Sequence, residues 1–231
     1  GSITGTMLRF ALPMIAGNLL QQCYNLADTF LVGRFIGSGA LAAVGSSYTL
    51  MTFLTSILLG LSMGSGAAFS IHFGAREEDR LKSSIFTSFV LILSVTVVLN
   101  VLVFALLDPI LVVLQIPASL YAMTRDYLWV IFWGISATFL YNFFASLLRA
   151  LGNSATPLIF LGVSAVLNIV LDVVLIVNAN MGVAGAALAT VIAQFAAGLG
   201  LLVYALLRCP QLRLSRRHLR VTAAGLREIA N

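Results

Sequence analysis

The sequence predicts an all-α integral membrane protein, a bundle of six transmembrane helices. Mean hydropathy is +1.04, with 60% of the residues hydrophobic and 9% charged, a balance foreign to soluble domains of this size. Apolar runs of about 20 residues recur along the chain, the length an α-helix needs to cross a hydrocarbon core of about 30 Å. These runs are continuously apolar rather than alternating with a period of two, which argues against a transmembrane β-barrel.

The first span is read over 8–32. It carries Asn18, Gln21, Gln22, Asn25 and Asp28 and has no Ala-x-Ala-type site, so it is not read as a cleavable signal peptide. The second covers 48–69, behind a small-residue lead-in from Gly37, and holds the Gly60-Leu-Ser-Met-Gly64 pattern that allows close helix contact. The third covers 85–107 and the fourth 128–148. The segment Arg149-Ala-Leu-Gly-Asn-Ser-Ala-Thr-Pro157 reads as a helix stop at Gly152, a short turn, and a Thr156 cap with Pro157 at the first helical position. The fifth span, 158–177, therefore forms a tight hairpin with the fourth. The sixth covers 183–207. The chain thus divides into a six-helix region, 1–207, and a basic connector, 208–231.

Eleven of the thirteen Lys and Arg residues fall on one side of these spans, including six between Arg208 and Arg227; Arg34 and Arg125 fall on the other. The positive-inside rule then places both termini in the cytoplasm, in a multi-pass protein of the cell inner (plasma) membrane. The net charge of +5 describes topology and contact with the lipid bilayer rather than nucleic-acid binding. Cys23 and Cys209 imply no disulfide. His72 and His218 lie at cytoplasmic borders without a metal-like spacing and read as solvated interface residues.

Asp28 and Asp172 are the two acidic residues inside the spans. A charge at the bilayer centre costs roughly 2.5–3.5 kcal/mol on insertion scales, so such residues face a cavity or a partner and serve ions or substrates. Gln21, Tyr24, Asn25 and Asp28 are spaced 0, 3, 4 and 7 and share one helical stripe. Asn168 and Asp172 are four apart and share another. Asn142 beside Tyr141, and Thr190 near Gln194, add oxygen donors from the fourth and sixth spans. Carboxylate, amide and hydroxyl oxygens suit a hard cation such as Na⁺. Two neighbouring buried carboxyls equally suit a proton, and the residues leave both ions open. Gln22, Asn100 and Gln194 read as helix-to-helix hydrogen bonders.

Several stretches together resemble the N-terminal half of a MATE (multidrug and toxic compound extrusion) transporter of the prokaryotic DinF-like branch. They are the Phe-Ala-Leu-Pro13 run, Asn25-Leu-Ala-Asp-Thr29 followed by Val32-Gly-Arg34, Ala40-Leu-Ala-Ala-Val-Gly45, the turn from Arg149 to Pro157, Asn168-Ile-Val-Leu-Asp172, and Gly182-Val-Ala-Gly-Ala-Ala187. The resemblance implies one six-helix lobe of a twelve-helix transporter, not an enzyme, that exports amphipathic, often cationic drugs by alternating access coupled to Na⁺ or H⁺. It implies a cation site at Asp28, Asp172, Asn168, Asn142 and Thr190, of which Asp28, Asp172, Asn168 and Thr190 would ligate Na⁺. It places Gln21, Tyr24, Asn25 and Tyr141 at the substrate cavity. No cofactor beyond the coupling ion is implied. Because the family has two lobes, the chain reads as a fragment or excised lobe whose partner is a C-terminal half or a second copy.

The residues also admit three other readings, one of them a passive structural membrane subunit that would need no coupling ion and would tolerate loss of both aspartates. A lipid-linked saccharide flippase shares the architecture but favours a more basic cavity, and apart from Arg9 at the very start of the first span no Lys or Arg falls within the spans. An intramembrane aspartyl protease would use paired carboxyls, but Leu-Ala-Asp28 and Val-Leu-Asp172 are not the surroundings of known intramembrane protease aspartates. Phe53 and Phe144, with Tyr24 and Tyr141, are aromatic candidates for contact with a cationic substrate.

Overall fold

The computed structural model describes residues 2–230. Hydropathy shapes it directly: wherever the chain is apolar for more than about five turns it forms one long helix, since lipid leaves backbone polar groups no partner except each other. Helix α1 spans Ile3–Phe35, α2 Ser38–Gly74 and α3 Glu78–Ala105. A short α4, Leu107–Val113, leads to α5, Ala118–Ile131, and α6, Gly134–Ala150. Helix α7, Ala155–Asp172, runs on into a π-helical segment, Val173–Asn178, and α8 spans Val183–Arg208. Five helices are long and apolar enough to cross a membrane, and the α5–α6 pair makes a sixth crossing if taken as one bent span.

That fourth crossing differs from its sequence reading. It begins ten residues earlier than Leu128, at Ala118, and bends by 42° between α5 and α6. Apolar residues run unbroken through Phe132 and Trp133, so hydropathy carries no mark of the bend. The small-residue lead-in before Tyr48 also proves helical, making α2 start at Ser38.

The turn between α6 and α7 stops where expected, with Gly152 in the left-handed region at φ +88°. Its cap is different: Asn153, not Thr156, closes the helix start. The Thr156 backbone N–H donates to Asn153 Oδ1 at 3.1 Å, and Asn153 Nδ2 donates to Thr156 Oγ1 at 2.9 Å. Pro157 consequently sits at the third helical position rather than the first.

The core lies among α2, α3, α5, α6 and α8, centred on phenylalanines. Phe143 is 1% exposed and meets Phe69, Phe89, Phe139 and Phe144 at centroid distances of 6.0, 5.4, 6.0 and 5.1 Å. Asn100 Nδ2 donates to Ser136 Oγ at 2.9 Å, tying α3 to α6 as a helix-to-helix bond.

Within the α2 pattern Gly60 has open space around it, whereas Gly64 makes the close approach, an added Cβ there standing 3.0 Å from the backbone oxygen of Ile229. Between spans, Gly66 packs on Ser146 and Gly198 on α6, where an added Cβ would stand 2.9 Å from the Ala137 carbonyl and 3.1 Å from Leu140 Cβ. Gly198→Val is expected to force α8 off α6 and cost about 1–3 kcal/mol, read as a lowered thermal midpoint in detergent.

The connector folds back onto the ends of α2 and α3 instead of trailing into solvent. A turn at Arg216–His218 and helix α9, Ala223–Ala230, pack there. This corrects the reading of the two histidines, which are 6% and 3% exposed. His72 lies 3.0 Å from Glu77 Oε2 and 2.7 Å from Glu228 Oε1, while His218 Nε2 lies 2.9 Å from Asp79 Oδ1, a carboxylate shared with Arg217 at 2.8 Å. Spacing along the sequence could not reveal pairs 139 residues apart.

Hydrogen bonding from His72 holds the Glu77 carboxyl below its ordinary 4.5, and that from His218 holds Asp79 below its ordinary 3.8. Of the two, Asp79 bears on docking, since its partners His218 and Arg217 belong to the connector: a depressed carboxyl stabilises the docked state fully above its ordinary value and ceases to do so as pH falls through the lower, folded one. The connector is therefore expected to stay docked at neutral pH and to loosen only below about pH 4, seen as faster amide hydrogen exchange in residues 213–230.

Candidate functional site

A cavity of about 860 Å³ opens between α1, α2, α6, α7 and α8. It exists because α1 packs along α7 rather than into the core. Gly17 meets Leu158 and Leu161, and Gly162 meets Leu20, so the two helices run parallel. Their polar stripes are thereby brought to the same level.

At one end of this space the two aspartates meet. The Asp28 and Asp172 carboxyls come close enough to interact electrostatically, with no hydrogen bond joining them. Asp172 is fully buried and Asn168, one turn earlier, is 3% exposed. Four oxygens here, Asp28 Oδ1, Asn168 Oδ1 and both of Asp172, have no hydrogen-bond partner. An orphaned buried acceptor costs about 1–3 kcal/mol, and two carboxylates cannot bond to each other without a shared proton or a cation between them. Among the described residues no three His, Cys, Asp or Glu side chains come together. The oxygens gathered here are carboxyl and amide oxygens, the donor type that suits a hard cation.

Gln21, Tyr24, Asn25, Asp28, Tyr141, Asn142, Asn168 and Thr190 all line the cavity. Asp172 does not; it is fully buried one turn beyond Asn168 at the end of α7. Thr190 Oγ1 donates back to the Ala186 carbonyl at 3.1 Å, which leaves its oxygen as an acceptor. Ser164 Oγ donates to the Ala193 carbonyl at 2.8 Å and fixes α7 against α8 beside the site. The π-helical segment begins at the residue after Asp172. Such wide turns recur at functional sites.

Four placements depart from the sequence reading. Phe53 is 63% exposed and points away from the cavity, and Phe144 is 3% exposed in the aromatic core, so neither faces a substrate. Gln194, read as a helix-to-helix bonder, lines the cavity, where Gly134 leaves it room. Arg149, taken as a flanking charge, occupies the last turn of α6 and lines the cavity too. The premise that the interior holds no basic residue therefore fails.

Tyr127 was missed. It comes from α5, lines the cavity and lies within electrostatic reach of both aspartates. Its neighbours Thr124, Arg125 and Asp126 make the segment look like a loop, and only the helical spacing from Thr124 to Tyr127 and Ile131 hints that it faces inward.

Comparison with known proteins gives concordant results. The family model described as MatE matches residues 13–174. The chain is similar to "Multidrug export protein MepA" of Staphylococcus aureus (strain NCTC 8325 / PS 47), 35% identical over 204 residues, covering 86% of this chain and 44% of that protein. It is also similar to "Probable multidrug resistance protein YpnP" of Bacillus subtilis (strain 168), 33% identical over 194 residues, covering 84% and 44%. Among solved structures, one described as the outward-facing conformation of a multidrug resistance MATE family transporter of the MOP superfamily superposes with a TM-score of 0.91 at 25% identity, covering 99% of this chain and 51% of that one. The chain spans about half the length of the curated relatives it matches.

Proposed function

The chain belongs to the MatE family, whose members are transporters rather than enzymes, and from that premise we propose that it forms the N-terminal lobe of a cation-coupled exporter of amphipathic, often cationic compounds. It is a multi-pass membrane protein. The single observation that carries the coupling is the group of four unpartnered oxygens at Asp28, Asn168 and Asp172.

Na⁺ or H⁺ is the cargo exchanged for substrate. A cation entering past Asn142 and Thr190 reaches Asp28 first and Asp172 behind it, and it draws α1 toward α7 by cancelling the repulsion of two carboxylates. With the cation gone, the pair repels and the α1 stripe of Gln21, Tyr24 and Asn25 reopens toward the cavity, where Tyr24 and Tyr141 offer ring faces to an organic cation. A ligand moves such an equilibrium only by its difference in affinity between the two states. The second lobe, a C-terminal half or another copy, supplies the opposing wall. Both termini face the cytoplasm of the plasma membrane, with the α2–α3 turn and the basic connector on that side.

The test is ethidium efflux from cells producing the transporter of which this chain is part. Efflux that collapses when the Na⁺ gradient or the proton gradient is dissipated supports the reading. Efflux that survives loss of both gradients contradicts it.

A further inference from the structure

Among the described residues Arg149 is the one cation that lines the cavity, at the opposite end from the aspartates. The α6–α7 turn places it beside Ser154, the start of the helix whose last residue is Asp172. At 1.5 Å of rise per residue the two ends of α7 are separated by about 25 Å, too far for the charges to neutralise each other. Thr138, Asn142, Ser146 and Arg149 all line the cavity at intervals of four, four and three residues, so α6 presents a polar stripe that ends on the guanidinium.

The guanidinium is left without its complement. Among the described residues no ion pair joins Arg149 to a carboxylate, and its Nε is buried with no hydrogen-bond partner. Five of the six acidic groups outside the spans are engaged elsewhere: Glu77 and Glu228 with His72, Glu78 with Lys82, Asp79 with Arg217 and His218, and Asp108 with Arg125; the sixth, Asp126, is on α5 next to Tyr127 and forms no ion pair with Arg149. A position in the last turn of α6 favours a cation through the helix dipole, but that leaves the fork of N–H donors unfilled. Ser146 and Ser154, 6% and 9% exposed, stand on the cavity wall at this end as further hydroxyl donors. Phe10, Met14 and Leu158 add apolar lining toward the same end, where α1 meets the start of α7.

We infer that the Arg149 end of the cavity binds the anionic head of an amphiphile, a carboxylate or phosphate, with its apolar body against Phe10, Met14 and Leu158. A planar guanidinium takes either oxyanion through paired N–H donors. This inference rests on the proposed role of the cavity as a substrate space and adds a second chemical class to the cations drawn by the aspartates. The head is supplied either by a free amphiphilic anion or by a membrane lipid.

The experiment uses the purified chain in phosphatidylcholine nanodiscs and three fluorescent probes: dansyl-leucine, its methyl ester, and ethidium. Wild type is expected to bind the acid roughly tenfold more tightly than the ester, the range of one charge-assisted hydrogen-bonded pair. Arg149→Gln is expected to equalise acid and ester, and Arg149→Lys to keep part of the preference as a point charge. Ethidium, a cation, should still bind both variants, and Arg149→Gln at least as tightly as wild type because a like charge has been removed from the cavity wall. Nanodiscs containing phosphatidylglycerol separate the two sources: a lipid head competes and weakens acid binding several-fold, whereas a free-anion site is unaffected. Equal affinity for acid and ester in wild type, no binding of the acid, or an acid preference that survives in Arg149→Gln would each overturn the inference. Loss of ethidium binding with the acid preference intact would instead count against the transport reading. Should Arg149→Gln misfold and lose ethidium as well, the wild-type acid-to-ester ratio and Arg149→Lys decide.

Discussion

Asp172→Asn is expected to abolish cation binding while leaving the lobe at least as stable as wild type. The substitution keeps the shape of a fully buried side chain and adds the N–H donor that the surrounding oxygens lack. Asp28 Oδ1 and Asn168 Oδ1 both stand unpartnered there. Removing one partner of a buried charged contact costs about 3–5 kcal/mol, so Na⁺ affinity, or proton affinity if that is the cargo, should fall by more than about 100-fold. A new hydrogen bond contributes about 1 kcal/mol in the other direction. Calorimetric titration with Na⁺ across pH, beside thermal unfolding of the same samples, checks both halves. Asp28→Asn should lose binding in the same way, since the two carboxyls act as a unit. If the aspartates only glued helices together, both variants would unfold at lower temperature and neither would change ion affinity selectively.

The second large effect is structural. Phe143→Ala is expected to cost about 3 kcal/mol, because a void among four rings forfeits dispersion contacts that lipid cannot restore. The ring meets Phe69, Phe89, Phe139 and Phe144 within 6.0 Å. Phe53→Ala is the matched control, since that ring is 63% exposed on the outer surface of α2 and its loss should leave the thermal midpoint within the scatter of wild type. Comparable losses in the two variants would mean that the aromatic cluster does not anchor α2, α3 and α6.

Hydropathy made the helices legible because lipid imposes a length and a composition on any segment that crosses it. It could not make the α5–α6 bend legible, for Leu128 to Ile135 is apolar on both sides of the break. Helical spacing made the stripe from Gln21 to Asp28 and the Asn168–Asp172 pair legible, since each lies on one element. Tyr127 stayed hidden because its polar neighbours imitate a loop. Arg149 was hidden by a boundary: a span drawn to Leu148 assigns the next residue to the membrane surface, whereas the last turn of α6 points it inward. His72 and His218 were misread for a third reason, that their partners Glu228 and Asp79 reach them only once the connector folds back. Contacts within an element follow from its period; contacts between distant elements do not.

The account stands on the carboxyl pair, and infrared difference spectroscopy of the purified chain addresses it most directly. A protonated-carboxyl band that disappears on raising the pH or adding Na⁺, and that is missing from Asp28→Asn and Asp172→Asn, is the predicted result. A carboxyl band indifferent to both ions, or identical in wild type and the two variants, would contradict the assignment of Asp28 and Asp172 as the cation site.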